Sequence, residues 1–359
     1  MMAKFSDVLT IINGKNQSKV ENPNGKYPIY GSGGVMGRAD DYICEADTIV
    51  IGRKGSINKP IYVDEPFWNV DTAFGLKADK TKLLPKYLFY FCLNFDFEKL
   101  NTTVTIPSLT KSNLFQVSIP LPDLPTQQRI ADTLDKVSEG IEVCRRILGE
   151  LDLMVKAKFV EMFGDAHNNS AFPYKNIGDL TTVTSGGTPD RENNLYWDDG
   201  DIRWVKTTEL QNCTICDTEE KITKLGLENS SAKLVPTGSV LIAMYGQGKT
   251  RGMTAYLENE SATNQACACV LPSSKINQKY LWQYLMLSYD ALRAMAKGGN
   301  QPNLNISMIK NFPVLYPPME LQNQYVEFVT YINKSVLTIK MILAKMEMEK
   351  LALMQEYFK

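Results

Sequence analysis

The sequence predicts an α+β protein with an internal pseudo-twofold repeat: two β-rich domains separated by two long helices that form an antiparallel coiled coil. Three observations predict this: a long internal repeat, glycine-bounded β-branched runs in each half, and two heptad patterns of one phase. Residues 107–134 align with residues 302–329 without a gap, at an offset of 195 residues, and the register continues until Phe163 aligns with Phe358. Only ten of the 58 aligned pairs are identical, so the repeat rests on shared apolar type and periodicity. A repeat this long is a duplicated domain with its helix rather than a solenoid unit.

Composition sets the broad class. The 359 residues are 44% hydrophobic and 22% charged, typical of a globular protein of two or three domains. The net charge of −1 means that any nucleic-acid-binding surface must be locally basic. No apolar run approaches the roughly 20 residues that span a bilayer, and the first residues do not resemble a secretory signal. Seven cysteines in a chain of this size indicate reduced thiols, so we expect a cytoplasmic protein without a membrane partner.

Each half begins with a similar β-rich region. Residues 5–15 resemble residues 177–188, and residues 46–56 resemble residues 238–248, where a β-branched run ends in a glycine turn that carries a cation. Helical patterns follow at residues 83–94 and 280–296, and clustered prolines then end each region. These changes predict domains at residues 1–122 and 166–318.

The two long helices are predicted at residues 123–165 and 319–359. Apolar residues recur in each with 4-3-4-3 spacing, and matching phase predicts that the two helices pair with each other. A helix of roughly 38 residues is about 57 Å long. Thr126 is the expected N-cap of the first helix. Packing of each helix on its own head, or on another protein, is the alternative. The predicted seam comprises Ile130, Leu134, Val137, Ile141, Leu148, Leu151 and Val155, with Val329, Ile332, Val336, Ile339, Leu343 and Met346.

Two stretches carry a resemblance to a known family. Residues 105–135 and 300–329 each place a Pro-x-Leu segment before a proline-rich entry into a long helix, LPDLPTQQRI in the first and YPPMELQNQY in the second. With the motifs at residues 5–15 and 177–189, they make essentially the whole chain similar to the specificity subunit of type I restriction-modification systems. The second half departs from the pattern because residues 322–325 lack the QQRI form.

This resemblance implies a function without catalysis. The two β-rich regions would be target recognition domains, each reading one half of a bipartite, asymmetric sequence in double-stranded DNA. The paired helices would set the gap between half-sites and dock two methyltransferase subunits, and restriction subunits would complete the enzyme. The resemblance implies no cofactor for this chain. The methyltransferase would use S-adenosylmethionine on adenine, and a restriction subunit would use ATP and Mg²⁺.

Catalytic and metal motifs are weak. The single histidine, His167, removes most acid–base and nucleophilic triads. Residues 246–250 end like a P-loop, but Ala243 stands where its first glycine belongs. Residues 213–216 and 267–269 supply four cysteines, enough for a zinc site, but Cys267 and Cys269 alternate like a buried strand face. We therefore predict no catalytic residue and no metal site.

Glycine-punctuated loops are the candidates for DNA contact. They carry cations for phosphate and Arg, Asn and Gln for base edges, and glycine permits close backbone approach. Contact is most strongly indicated for the loops at residues 53–55 and 246–251, which occupy equivalent places in the two halves. The candidates are Ser32, Arg38, Arg53, Lys54, Ser56, Asn58, Lys59 and Thr103 in the first half, and Lys206, Thr207, Thr208, Gln211, Tyr245, Gln247, Lys249, Thr250, Arg251, Asn300 and Gln301 in the second.

Two other functions fit parts of the sequence. A coiled-coil scaffold with two protein-binding heads would share the heptads but lack salt-dependent DNA binding. A single-chain DNA nuclease or methyltransferase would act on DNA without partner subunits.

Overall fold

The chain folds into two units, each of which takes one β-rich region and one end of each long helix. The computed structural model describes residues 1–101, 108–167, 172–246, 248–296 and 303–359. The first unit comprises residues 1–148 and 338–359, and the second comprises residues 149–337. Each unit is described below by itself.

In its described residues, the β-rich region of the first unit contains nine strands and three short α-helices, with a 3-10 helix at Phe97–Leu100. The strands are β1 (Met2–Lys4), β2 (Leu9–Asn13), β3 (Tyr27–Gly31), β4 (Gly34–Ala39), β5 (Thr48–Gly52), β6 (Ile61–Val63), β7 (Trp68–Asn69), β8 (Ala73–Ala78) and β9 (Ser118–Pro120). The helices are α1 (Phe5–Val8), α2 (Pro85–Asn94) and α3 (Lys111–Phe115), and the long helix α4 (Leu124–Phe163) follows.

The second unit repeats this plan with additions. Its strands are β10 (Tyr174–Asn176), β11 (Val183–Ser185), β12 (Ile202–Val205), β13 (Cys213–Ile215), β14 (Glu220–Ile222), β15 (Val240–Ala243), β16 (Thr254–Leu257), β17 (Ala262–Thr263), β18 (Cys267–Val270) and β19 (Pro313–Leu315). Its helices are α5 (Ile177–Leu180), α6 (Lys224–Glu228), α7 (Gln278–Leu287), α8 (Tyr289–Ala294) and α9 (Ile306–Lys310), and the long helix α10 (Met319–Tyr357) follows.

Sheet topology confirms the internal repeat. In the first unit the strands form a sheet of order β2-β8-β5-β6 and another of order β4-β3-β7. In the second unit the orders are β11-β18-β15-β16-β13 and β14-β12-β17. The two plans match strand for strand except for β13, which lies parallel to β16 at the edge of the larger sheet. The added β13 and α6 account for part of the greater length of the second region.

Burial explains why the central strands form where they do. All five residues of β5 and all four of β15 are buried, as expected for a β-branched run that is covered on both faces. The single helical pattern predicted at residues 280–296 is split in the structure, because α7 ends before Ser288 and α8 begins after it. Ser288 has φ −93° and ψ 13°, which redirects the following turn.

The two long helices pair through the predicted seam. Every predicted seam residue is buried or half-buried. In the first unit, the Arg145 guanidinium lies 2.8 Å from the Glu347 carboxylate. Ile130 and Leu134 at the start of α4 share a core there with Phe358 at the end of α10.

The second unit repeats this arrangement with the helix ends exchanged. Phe159 and Phe163 at the end of α4 share its core with Tyr325 and Val329 at the start of α10. In both units the start of one helix packs with the end of the other, which confirms the antiparallel coiled coil.

The predicted cap of the first long helix is wrong. Helix α4 begins at Leu124, so Thr126 lies within its first turn. The Asp123 carboxylate accepts a hydrogen bond from the Thr126 amide (3.0 Å) and is the capping side chain. Pro125 does not delay the helix, because proline is tolerated in a first turn whose N–H groups have no helical partner. No helix among the described residues is long and apolar enough to cross a bilayer.

Candidate nucleic-acid interface

In the first unit, the loop that follows β5 lies against the β3–β4 hairpin tip. A Cβ on Gly52 would be 2.4 Å from the Ser56 carbonyl oxygen and 3.0 Å from the Ser32 Cβ, so only glycine fits there. The Arg53 amide donates to the Thr72 carbonyl (2.8 Å), and the Arg53 carbonyl accepts from the Leu109 amide (2.9 Å). The backbone at the start of this loop is therefore held by hydrogen bonds on both sides.

The polar side chains of this loop face solvent. Arg53, Lys54, Ser56 and Lys59 are all exposed. The Arg53 guanidinium lies over the Phe74 ring at 5.7 Å, a cation–π contact that leaves its edge for hydrogen bonding. This loop thus offers three cations on a fixed backbone, an arrangement suited to phosphate.

Two predicted contact residues of the first unit make contacts within their own fold. The Arg38 guanidinium donates to the carbonyl oxygens of Gly25 and Lys26, each at 2.6 Å. Asn58 donates to the Asp96 carboxylate (2.9 Å) and accepts from the Phe97 amide (2.7 Å). Arg38 thus holds the backbone at Gly25 and Lys26, Asn58 holds it at Phe97, and their contact with DNA stays a prediction.

The equivalent loop of the second unit follows β15. Gly246 and Gly248 have φ values of 145° and 59°, which favour glycine. Tyr245 and Lys249 are exposed, and Thr250 and Arg251 are half-buried. This loop, too, presents cations and hydroxyl groups from a glycine-shaped backbone.

Side chains of α8 hold this second loop, and sequence reasoning missed them. Arg293 donates to the carbonyl oxygens of Gly248 (2.9 Å) and Arg251 (2.8 Å). The Tyr289 hydroxyl donates to the Lys249 carbonyl oxygen (2.7 Å). The contact joins residues about 40 positions apart in the chain, so no local pattern indicates it.

The third group of candidates lies after β12. The Lys206 ammonium is 2.8 Å from both the Glu219 and Glu220 carboxylates. Hydrogen bonds to Glu219 and then Glu220 raise the pKa of Lys206 well above its ordinary value. Thr207 and Thr208 lie in the 3-10 helix Thr207–Glu209, and Gln211 donates to the Thr208 carbonyl oxygen (3.2 Å).

A stacked arginine stands beside Lys206 and was also missed from sequence. The Arg191 guanidinium lies 3.8 Å from the Trp197 ring centroid and 4.7 Å from that of Trp204, and it forms an ion pair with Glu220. Thr103, Gln247, Asn300 and Gln301 lie outside the described residues, so they too remain predictions.

Burial shows how the cysteines of the second half are used. Cys267 and Cys269 are fully buried on β18, the strand face that their alternation predicted. Cys216 is exposed and donates to the Glu258 carboxylate (2.9 Å), a hydrogen bond that, ahead of burial, raises the pKa of its thiol. Within the described ranges, no group of three or more His, Cys, Asp or Glu side chains could hold a metal ion.

Comparison with known proteins identifies the family. The family model described as the type I restriction modification DNA specificity domain matches residues 1–153 and 169–348. The EcoR124I/EcoR124II specificity subunit of Escherichia coli is 24% identical over 296 residues, 79% of this chain and 72% of that protein. The MjaIX specificity subunit of Methanocaldococcus jannaschii is 24% identical over 301 residues, 77% of this chain and 67% of that protein.

Solved structures show the same fold. The S subunit of a type I restriction-modification system from M. genitalium superposes with a TM-score of 0.67 at 16% identity, covering 100% of this chain and 96% of that one. A second structure, described as the structural basis of complex assembly and conformational transition of the type I R-M system, gives 0.60 at 16% identity, with 100% and 97% covered. With family matches in both halves and the shared fold, the chain belongs to the family of type I restriction-modification DNA specificity proteins.

Proposed function

We propose that this specificity protein recognises a bipartite, asymmetric target in double-stranded DNA, with one β-rich region on each half-site. The observation that carries the proposal is a repeated sheet topology that presents different loops. The loop after β5 carries Arg53 and Lys54, whereas the equivalent loop after β15 carries Lys249 and Arg251. Equivalent placement supports a shared role, and different side chains support the reading of two different sequences.

The paired helices fix the gap between the half-sites. Each unit contains the start of one helix packed with the end of the other, so neither head is joined to its helices by a loose linker. A coiled coil is stiff, and its length sets how far apart two groups at its ends are held. A spacer of this kind suits a target whose two halves are separated by a constant number of base pairs.

The outer faces of the same helices dock two methyltransferase subunits. Along the part of α10 in the first unit, Met341, Met348 and Leu351 recur at helical spacing and are all more than half exposed. Exposed apolar stripes of this kind mark protein–protein contacts. The second solved structure reported above is described in terms of complex assembly of a type I R-M system, which supports partner subunits as the proteins that bind these faces.

The chemistry belongs to the partners. Each methyltransferase subunit uses S-adenosylmethionine to methylate adenine, and restriction subunits add a nuclease that uses ATP and Mg²⁺. This chain supplies the sequence choice and needs no cofactor for it.

Mapping methylated adenines tests the proposal. In the source genome, we expect a split motif to be methylated when the gene is present and to lose methylation when the gene is deleted. Exchange of residues 5–122 for the corresponding region of another specificity protein should change one half of that motif and leave the other half intact. A single continuous motif, or unchanged methylation after deletion, contradicts the proposal.

Binding measurements separate the rival functions. The complex with its methyltransferase should bind a duplex with the split site far more tightly than one with a single half-site, and affinity should fall as salt rises. A complex that shows no affinity for DNA at any salt concentration would favour a protein scaffold. Robust cleavage or methyl transfer by the lone chain with Mg²⁺ and S-adenosylmethionine would favour an enzyme.

A further inference from the structure

All four backbone carbonyl groups from Gly248 to Arg251 accept hydrogen bonds from the protein itself. The Arg293 guanidinium donates to those of Gly248 and Arg251, and the Tyr289 hydroxyl donates to that of Lys249. The fourth, of Thr250, accepts a hydrogen bond from the Met253 amide (3.0 Å). The negative ends of these peptide dipoles are thus occupied by the protein itself.

This arrangement determines what the outer side of the loop presents. In a trans peptide the N–H points opposite to the C=O, so the amides of Lys249 and Thr250 face away from Arg293 and Tyr289. The exposed Lys249 ammonium and the Thr250 hydroxyl belong to the same residues. A surface of amides, a hydroxyl and a cation, with its carbonyl oxygens turned inward, is complementary to a phosphate group.

Arginine is suited to this holding role in a way that lysine is not. Its planar guanidinium reaches two carbonyl oxygens with two separate nitrogens and also donates to the Tyr289 hydroxyl (3.1 Å). Gly252, at φ +85°, leaves room for it, since a Cβ there would lie 3.1 Å from the Arg293 Cγ. The loop and the arginine are therefore closely packed.

We propose that Arg293 and Tyr289 are positioning residues for DNA binding by the second unit, acting through Lys249 and Thr250 on a phosphate of its half-site. The proposal rests on the DNA-binding function proposed above. Arg293 itself faces the loop carbonyl groups. Its contribution to DNA affinity therefore depends on the Lys249 side chain that the loop presents.

A double-mutant cycle in the complex with its methyltransferase tests this. The probe is a duplex carrying the split site mapped by methylation, and the readout is the dissociation constant measured by fluorescence anisotropy at several salt concentrations. We expect Arg293→Ala and Lys249→Ala each to weaken binding about tenfold and to reduce the salt slope by about one. In the double variant the second substitution should add little further loss of affinity, because both substitutions remove the same phosphate contact.

Three further variants separate positioning from folding. Tyr289→Phe keeps the ring but loses one carbonyl contact and should weaken binding to a lesser degree than Arg293→Ala. Arg293→Lys keeps the charge but not the fork, and should restore affinity only in part. Lys233→Ala, which removes an exposed cation of the same unit, should leave binding unchanged.

The outcomes distinguish this proposal from the proposed function. If the unaltered complex binds its split site specifically and Arg293→Ala leaves affinity and salt slope unchanged, the positioning role is wrong and the proposed function stands. Fully additive losses in the cycle would also overturn it, since Arg293 would then act independently of Lys249. If the unaltered complex shows no preference for the split site, the proposed function fails first.

Discussion

At the scale of single residues, the candidate site divides into side chains that face outward and side chains that hold the fold. Lys249 and Lys54 are exposed, whereas the Lys206 ammonium lies between two carboxylates. All three were predicted from residue type and their place in a polar loop. The sequence does not reveal which cation has an internal partner, because Glu219 and Glu220 reach Lys206 only through the pairing of β12 with β14.

Glu220 makes the stability of this cluster dependent on pH. Burial alone would raise its pKa, but hydrogen bonds from Lys206 and Arg191 hold the pKa of Glu220 below the ordinary value of 4.5. A lowered folded-state pKa contributes stability that is present above the unfolded value and is lost as the pH falls through the folded value. We expect Glu220→Gln to lower Tm by about 2 °C at neutral pH, and this deficit to shrink as the pH falls below the ordinary glutamate value of 4.5.

Thermal melts across this pH range, with a matched glutamate, check the prediction. Glu228 pairs with Lys224 on the surface of α6, where both side chains are well exposed, so Glu228→Gln should leave Tm nearly unchanged. A Glu220→Gln deficit that stays constant with pH would mean that the lost carboxylate is not its cause.

At the scale of elements, the two helix entries share one buried contact although their sequences differ. Gln127 is fully buried, accepts from the Leu84 amide (2.9 Å) and donates to the carbonyl oxygens of Lys82 and Pro122. Gln322, its counterpart in the repeat, is also fully buried, accepts from the Asn277 amide (2.9 Å) and donates to Pro317. The second half departs from the QQRI form, but it keeps the first glutamine of that form, which joins the head to the helix.

Removing either glutamine should destabilise its own unit. Gln127→Ala removes the side chain that bonds the half-buried Leu84 amide and two carbonyl groups, so we expect a loss of about 1–3 kcal/mol in the free energy of unfolding. Gln128→Ala is the neighbouring control, because Gln128 is exposed and its side chain donates to Asp132 on the same helix. Urea denaturation measures both, and equal losses would refute the structural role of Gln127.

The two glycines of α4 make a second matched pair. A Cβ on Gly140 would lie 2.1 Å from the Met346 Cε, whereas a Cβ on Gly149 would meet nothing within 4 Å. Gly149→Ala should raise the free energy of unfolding by up to about 1 kcal/mol through helix propensity. Gly140→Ala should gain less, because the Met346 side chain must move. Denaturation curves in which Gly140→Ala is the more stabilised variant would contradict this packing.

The elements also show what sequence can predict. The heptad seam was predicted residue by residue because its period is local and one face must be buried. The cap at Asp123 was missed because Thr126, three residues later, is also a residue type that caps helices. The order β2-β8-β5-β6 could not be predicted, since it depends on pairings between residues far apart, such as Thr10 with Lys77. Arg293 was missed for the same reason.

At the scale of the whole molecule, duplication and divergence have separate physical causes. The seam tolerates any apolar side chain of suitable size, so its two copies keep their phase with few identities. The sheets keep their strand order because their buried strands must pair in the same register. The loops outside the sheets carry no such constraint, and they are where the two halves differ most in side-chain chemistry.

The spacer role predicts how changes in helix length act on the target. A heptad inserted after Leu148 in α4 alone leaves its seam without a matching partner and should reduce or abolish methylation of the split motif. Leu148 and Leu337 are the residues at which α4 and α10 pass from one unit to the other. A second heptad inserted after Leu337 should restore the pairing, because both helices are then longer by about 10 Å. Methylation mapping should then find the same two half-sites separated by up to about three additional base pairs. A doubly extended protein that still methylates the original motif would show that the helices do not determine the gap.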